Sequence, residues 1–176
     1  MQKNISFIFD TETNGFANCS VLSISYIISQ NNNILHQDTR YYFSQEPYNH
    51  HAFQVHGLDE ESIDDKRAKN KYPLYFEDDK NWLIDIFNKY NVDNIVAHNL
   101  SFDTKFLPQE IKNKIKNKEY STFCTMQQNR HITKNNKAPK LIEACKLYNI
   151  KFDEYNAHSS DYDTLKCFEV FVKTIV

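Results

Sequence analysis

The sequence predicts an α/β fold: a mixed five-stranded sheet, antiparallel in its first three strands, with helices on its faces. Two observations lead there. Strand-like segments crowd the first 43 residues with only short connections between them. Beyond them, helix-period stripes alternate with short apolar runs, and no segment repeats.

Ile5 to Glu12 reads as the first strand, with Ile5, Phe7 and Phe9 on one face, and Asn14-Gly15 marks the turn that follows. Leu22, Ile24, Tyr26 and Ile28 alternate with Ser23 and Ser25, the period of a half-buried second strand. Asn31 to Asn33 supply a turn, and Ile34 to Phe43 form the third strand. A helix is expected over Asp78 to Tyr90, where Trp82, Leu83, Ile86, Phe87 and Tyr90 make one stripe. Asn94 to Asn99 is a short apolar strand, followed at once by a helix carrying Phe102, Phe106 and Leu107. Residues 120–125 give a fifth strand, and Leu141 to Tyr148 is helical. So is the end of the chain, where Leu165, Phe168, Phe171 or Val172, and Ile175 recur at helical steps. The polar stretch Thr133 to Lys137 is the expected mobile loop.

At 176 residues the chain is read as one domain, 1–176, able to bury a core without disulfide staples. No apolar run approaches the roughly 18 residues of a spanning helix, and the opening residues lack the sections of a signal peptide. No membrane partner and a cytoplasmic location are therefore expected. A net charge of −2 argues against a protein that coats duplex DNA through bulk positive charge, but not against an enzyme that grips a few terminal nucleotides. Cys19, Cys124, Cys145 and Cys167 show neither C-x-x-C nor zinc spacing, so reduced, partly buried thiols are expected. With only Gly15 and Gly57 there is no Gly-rich phosphate cradle. Any nucleotide chemistry must use another device.

Carboxylates supply one. Alternation along the first strand puts Asp10 and Glu12 side by side on one face. Burying two like charges unpaired costs several kcal/mol, and a hard divalent cation removes that penalty. Taken alone, the pair also fits two solvent-facing acids at a strand end. His98-Asn99-Leu100-Ser101-Phe102-Asp103 follows the fourth strand, with Asp103 in the first turn of the next helix, where an acid also suits the helix dipole. His158-Ser159-Ser160-Asp161-Tyr162-Asp163 enters the last helix, where Ser159, Ser160 or Asp161 fits an ordinary N-cap.

Together these segments carry a resemblance. FDTETNG, HNLSFD and HSSDYD, in that order, resemble the three motifs of the DEDDh 3′→5′ exonuclease family, which includes RNase T and the proofreading subunit of bacterial replicative DNA polymerases. Val55 to Asp59 resembles the H-G-[IL] loop between its first two motifs. Thr122 to Arg130 resembles the strand-and-helix segment after the second motif, and Lys140 to Ile150 the helix that precedes the third. The similarity runs from Ile5 to about Phe171. Two small departures are Asn14, where threonine is most frequent, and Ser159, where an alanine-like residue follows the histidine.

The resemblance implies an RNase H-like sheet, two divalent ions (Mg²⁺ or Mn²⁺), and release of nucleoside 5′-monophosphates from a single-stranded 3′ end. It makes Asp10 the bridge between the ions, with Glu12 and Asp163 beside it, Asp103 supporting the second ion, and His158 the general base. A sister family has tyrosine four residues before the last aspartate; here that position is Ser159, and His158 lies five before Asp163. Asp161 fits the register poorly and is read as a solvent-facing neighbour. For the terminal nucleotides the candidates are Thr13, Phe16, His56, Gly57, Leu58, His98, Asn99 and Phe102, with His98 equally readable as structural. Lysines 105, 112, 114, 116 and 118, or 134, 137 and 140, fit either upstream phosphates or a solvated face. A DNA polymerase stays open as a partner, as does homodimerisation. Two other readings also stay open: a non-catalytic binding module of the same fold, and a phosphodiesterase for very short or cyclic oligonucleotides.

Overall fold

The computed structural model describes residues 5–67 and 71–175. Its sheet runs in the order β3-β2-β1-β4-β5. β1 (Ile5–Thr13), β2 (Val21–Gln30) and β3 (Asn33–Tyr41) form an antiparallel meander, and β4 (Asn94–Ala97) and β5 (Ser121–Cys124) add in parallel beside β1. Between β3 and β4 lie α1 (His50–His56), α2 (Glu60–Arg67), α3 (Phe76–Asp79) and α4 (Trp82–Tyr90). α5 (Leu100–Asp103) and α6 (Gln109–Lys116) follow β4; α7 (Thr125–Gln128), α8 (Leu141–Leu147) and α9 (Ser160–Thr174) follow β5.

Two layers of helix make both faces of the sheet interior. Ile5, Phe7, Phe9, Tyr26 and Ile28 pack under α4, where the Phe7 and Phe87 rings stand 4.7 Å apart. On the other face Ile8, Ile27 and Val96 meet Cys167, Phe168 and Phe171 of α9. β2 is therefore buried on both faces rather than half-buried. Its serines are the reason: small side chains let α9 approach, and the helix satisfies the polar groups there. Ser23 Oγ donates to Ser160 Oγ at 2.9 Å, and Thr164 Oγ1 to the Ser25 carbonyl at 3.2 Å. Alternation of apolar and hydroxyl residues does not separate core from solvent when the hydroxyls have partners.

The helix expected over 78–90 is divided. At Lys80–Asn81 the backbone tightens into i→i+3 bonds, Leu83 N–H to Lys80 O and Ile84 N–H to Asn81 O. Asp79, at the end of α3, accepts from Arg40 Nη1 and from the Tyr42 hydroxyl, both at 2.7 Å. Arg40 also stacks 3.8 Å from the Trp82 ring centroid, which ties β3 to α4. The helix after β4 is likewise short: one turn, then a tighter turn over Thr104–Phe106. Thr133 to Lys137 forms a closed turn with Asn135 and Asn136 in the left-handed region, their φ angles 63° and 52°. The cysteines are free thiols, Cys145 and Cys167 buried. Among the described residues no helix is long and apolar enough to cross a membrane.

Candidate active site

Parallel pairing of β1 with β4 sets the site. Ile8 lies opposite Val96, β4 stops at Ala97, and β1 continues to Thr13. The shorter strand leaves a notch at the sheet's edge beside Asp10 and Glu12, and the chain turning into α5 fills it with Asp103. Asp103 is buried, and its Oδ1 accepts from the Thr11 amide at 3.1 Å and the Thr11 hydroxyl at 2.7 Å. Thr11 alternates with the two acids, so the strand that presents Asp10 and Glu12 also fixes the third carboxylate.

α9 brings the fourth. Asp163 lies in its first turn, and Asp163 Oδ2 accepts from the His158 amide at 3.2 Å. His158 adopts a left-handed backbone, φ 63°, uncommon for a residue with a Cβ. Its exposed ring stands over the carboxylates. Ligand atoms of Glu12, His158 and Asp163 lie within 4.8 Å of one another.

Such a group of acids is electrostatically strained. Burial, then the charges of Asp103, Glu12 and Asp163, hold Asp10 well above the usual carboxylate range. Glu12 rises to about 9 through burial and then Asp163 and Asp103. Burial lifts Asp103 to about 7 and Asp163 to about 6. Four carboxylates cannot all ionise here without added positive charge. Asp163 Oδ1 is also buried without a hydrogen-bond partner. Crowded acids, an orphaned oxygen and an all-oxygen donor set with one imidazole beside it fit a hard divalent cation.

A cavity of about 600 Å³ opens over the acids. Besides the carboxylates and His158 its walls carry Phe16, His98, Asn99 and Phe102, all singled out in the sequence. Phe16 is 90% exposed at its rim. His98 lines the wall with both ring nitrogens engaged: Nδ1 with Thr125 Oγ1 at 2.9 Å and Nε2 with the Pro139 carbonyl at 3.0 Å. Burial pushes its pKa down to about 4, so the ring is neutral, donating from Nε2 and accepting at Nδ1.

Four sequence candidates do not line that cavity. Thr13 is buried and donates to the Gly15 carbonyl at 2.6 Å. Leu58 packs with Leu22 and Ile63 in a core cluster, so it turns away from the site. Gly57 caps α1 with φ 68°, a left-handed position that favours glycine. His56 accepts from Leu58 N–H at Nδ1 and thus donates from Nε2 to the Thr13 carbonyl at 3.1 Å. Asn14, the departure noted above, reaches Ser44, Glu46 and Pro47 through its amide and accepts from Asn49 N–H at 2.7 Å. Asn49 in turn caps α1. The chain at the end of β1 is thus tied to both ends of α1, Asn14 to its cap Asn49 and Thr13 to His56. Asp161 is exposed.

Sequence reasoning missed Thr11 as the holder of Asp103, and Ile142, Phe152, Glu154 and Ala157 on the cavity wall. A buried hydroxyl between two acids was the available signal for Thr11. The wall residues carry none, since their place depends on how α8 and the loop after it pack.

A family model described as "Exonuclease" (RNase_T) matches residues 7–171. The chain belongs to the exonuclease family. Ribonuclease T of Buchnera aphidicola subsp. Baizongia pistaciae is 28% identical over 184 residues, covering 96% of this chain and 82% of that protein. Ribonuclease T of Buchnera aphidicola subsp. Acyrthosiphon pisum is 35% identical over 82 residues, 46% of this chain, and the match spans only 37% of that relative's length. In structure the chain is similar to E. coli Exonuclease I in complex with a dT13 oligonucleotide, with a TM-score of 0.69 at 14% identity, over 97% of this chain and 40% of that one. The shared architecture is the RNase H-like fold expected of the exonuclease family, and the DEDDh-type resemblance stands.

Proposed function

We propose that the chain is a divalent-cation-dependent exonuclease that removes nucleoside 5′-monophosphates, one at a time, from the 3′ end of a single-stranded nucleic acid. One observation carries the reading: Asp10, Glu12, Asp103 and Asp163 converge on one cavity with His158 at its mouth. The family assignment, the similarity to Ribonuclease T and a fold shared with an exonuclease bound to a dT13 oligonucleotide support it.

Asp10, Glu12, Asp103 and Asp163 would hold two divalent ions, Mg²⁺ or Mn²⁺. When bound, such ions polarise the phosphate and ease ionisation of the attacking water. The chain's own groups do the rest. Thr11 locks Asp103 through two hydrogen bonds to one oxygen. The His158 amide steers one oxygen of Asp163 and leaves the other without a hydrogen-bond partner, where it would be available to a cation. The imidazole of His158 takes the proton of the attacking water; its exposure then lets that proton pass to solvent. Phe16, largely exposed at the cavity rim, offers a face on which a terminal base stacks, and Asn99 and Phe102 border the same space.

A digestion panel tests this. Single-stranded DNA and RNA, a dinucleotide and a cyclic dinucleotide are each incubated with Mg²⁺ or Mn²⁺, and products are separated by chromatography. Release of mononucleotides from a labelled 3′ end is the expected result. Hydrolysis confined to the dinucleotides identifies a short-oligonucleotide phosphodiesterase instead. Binding of long strands without hydrolysis under either metal identifies an inactive module.

A further inference from the structure

We propose that the strand upstream of the 3′ terminus runs over a basic hollow between the 133–138 turn and α8, where Lys134, Lys137, Lys140 and Lys146 meet its phosphates. This rests on the exonuclease reading and specifies its substrate: a strand several nucleotides long, not a dinucleotide.

The catalytic cavity does not end at the carboxylates. Its far wall includes Lys140, Leu141 and Ile142 at the start of α8. A second hollow of about 780 Å³ lies on the other flank of that helix, lined by Lys134, Lys137, Lys140 and Lys146 among others. Lys140 belongs to both, so the two spaces adjoin at the N-terminus of α8. Lys146 also borders a third hollow of about 420 Å³, which carries Lys151 and returns to Ile142 and Phe152 of the catalytic cavity. The three depressions surround one short helix.

The segment that lines the second and third hollows is one-sided in charge. From Arg130 to Lys151 the sequence has six lysines and arginines and a single acid, in a chain whose net charge is −2. That acid, Glu143, is used locally: its Oε2 accepts from the Lys140 amide at 2.7 Å and caps α8. Among the described residues none of Lys134, Lys137, Lys140, Lys146 and Lys151 forms an ion pair. The competing group around α6 is partly engaged. There Lys114 pairs with Glu110 at 3.1 Å, and Lys112 Nζ donates to the Lys105 carbonyl at 3.3 Å.

The basic turn is also held in register with the chemistry. His98, at the end of β4, donates to the carbonyl of Pro139, between Lys137 and Lys140. Uncompensated lysines on a concave surface that opens into a carboxylate site fit a flexible polyanion whose terminus lies at the acids. Phosphates spaced along a single strand have that chemistry, and no base identity is read.

The test measures binding and turnover separately. Lys134→Gln, Lys137→Gln and Lys146→Gln are combined in one variant, and Lys112→Gln, Lys116→Gln and Lys118→Gln in a control. Fluorescence anisotropy follows labelled single-stranded DNA and RNA of about 10 nucleotides against salt, with a dinucleotide in parallel turnover assays. Three lost phosphate contacts make the salt dependence of the single-strand affinity shallower by about 2 in log–log slope. Between about 50 and 200 mM salt the wild type should lose about 20-fold more affinity than the variant. The variant's kcat/KM ratio of long strand to dinucleotide should fall in step, and the control should keep the wild-type slope. A wild-type slope in the variant, or loss of slope in the control instead, would overturn the proposal. Failure of the wild type to hydrolyse any substrate would sink the exonuclease reading, while the anisotropy slopes would still decide whether these lysines carry the strand.

Discussion

Asp103→Asn in metal-free buffer probes the electrostatic core of the site. Asp103 is 3% exposed, and burial raises its carboxyl from 3.8 to about 7 despite the two hydrogen bonds from Thr11. A folded-state pKa above the unfolded one means that the folded protein binds the proton more tightly. The group therefore leaves stability intact below about pH 4, and stability is lost as pH rises through about 7. The interval from 3.8 to about 7 corresponds to roughly 4 kcal/mol. Asparagine keeps an oxygen for the Thr11 amide and hydroxyl but carries no charge. With chelator at about pH 8, the variant should exceed the wild type by up to about 4 kcal/mol, or about 10 °C in Tm for a chain of this length. At about pH 4 the two should melt together, because both are then uncharged at this position. Added Mg²⁺ or Mn²⁺ should reverse the order by stabilising the wild type more. Calorimetry at the two pH values, with and without metal, reads all of this. A variant no more stable than the wild type at high pH in chelator, or equally stabilised at both pH values, refutes the reasoning.

His158→Asn removes the proposed base while tolerating the left-handed backbone at φ 63°, and should lower metal-supported kcat by about 10²–10⁴ with Tm unchanged. Wild-type turnover would place the base elsewhere. Phe16→Ala should leave Tm unchanged, since the ring is 90% exposed, and weaken binding of a 3′-terminal strand by about 1–3 kcal/mol. An unaltered KM would remove Phe16 from the substrate path. Leu58→Ala should instead lower stability by about 2–5 kcal/mol and leave the KM of the folded fraction near wild type, as its side chain fills the cluster with Leu22 and Ile63. A KM effect without a stability loss would return it to the substrate.

Strand and helix positions were legible because local period reports which side chains share a face. Asp10 and Glu12 are neighbours by the pleat of β1 alone, and Asp103 follows a strand too short to run on. The half-buried reading of β2 failed because a sequence cannot show that α9, more than a hundred residues away, would cover its serine face, with Ser160 meeting the Ser23 hydroxyl and Thr164 the Ser25 carbonyl. The single helix over 78–90 failed at its start: the apolar stripe from Trp82 to Tyr90 lies wholly in α4, and a tight turn at Lys80–Asn81 separates it from Asp78 and Asp79 in α3.

The sequence by itself determined the kind of chemistry: four acids and a histidine in fixed order, on elements whose periods decide which way each side chain leaves the backbone. Tertiary structure alone decided which of the remaining candidates reach the cavity. His56 turns to hold the end of β1 and Leu58 to fill a core, while Phe16 stays exposed and Lys140 borders two hollows at once. The difference is physical. Facing along one element is set by backbone geometry within a few residues, whereas exposure depends on what distant segments pack against it.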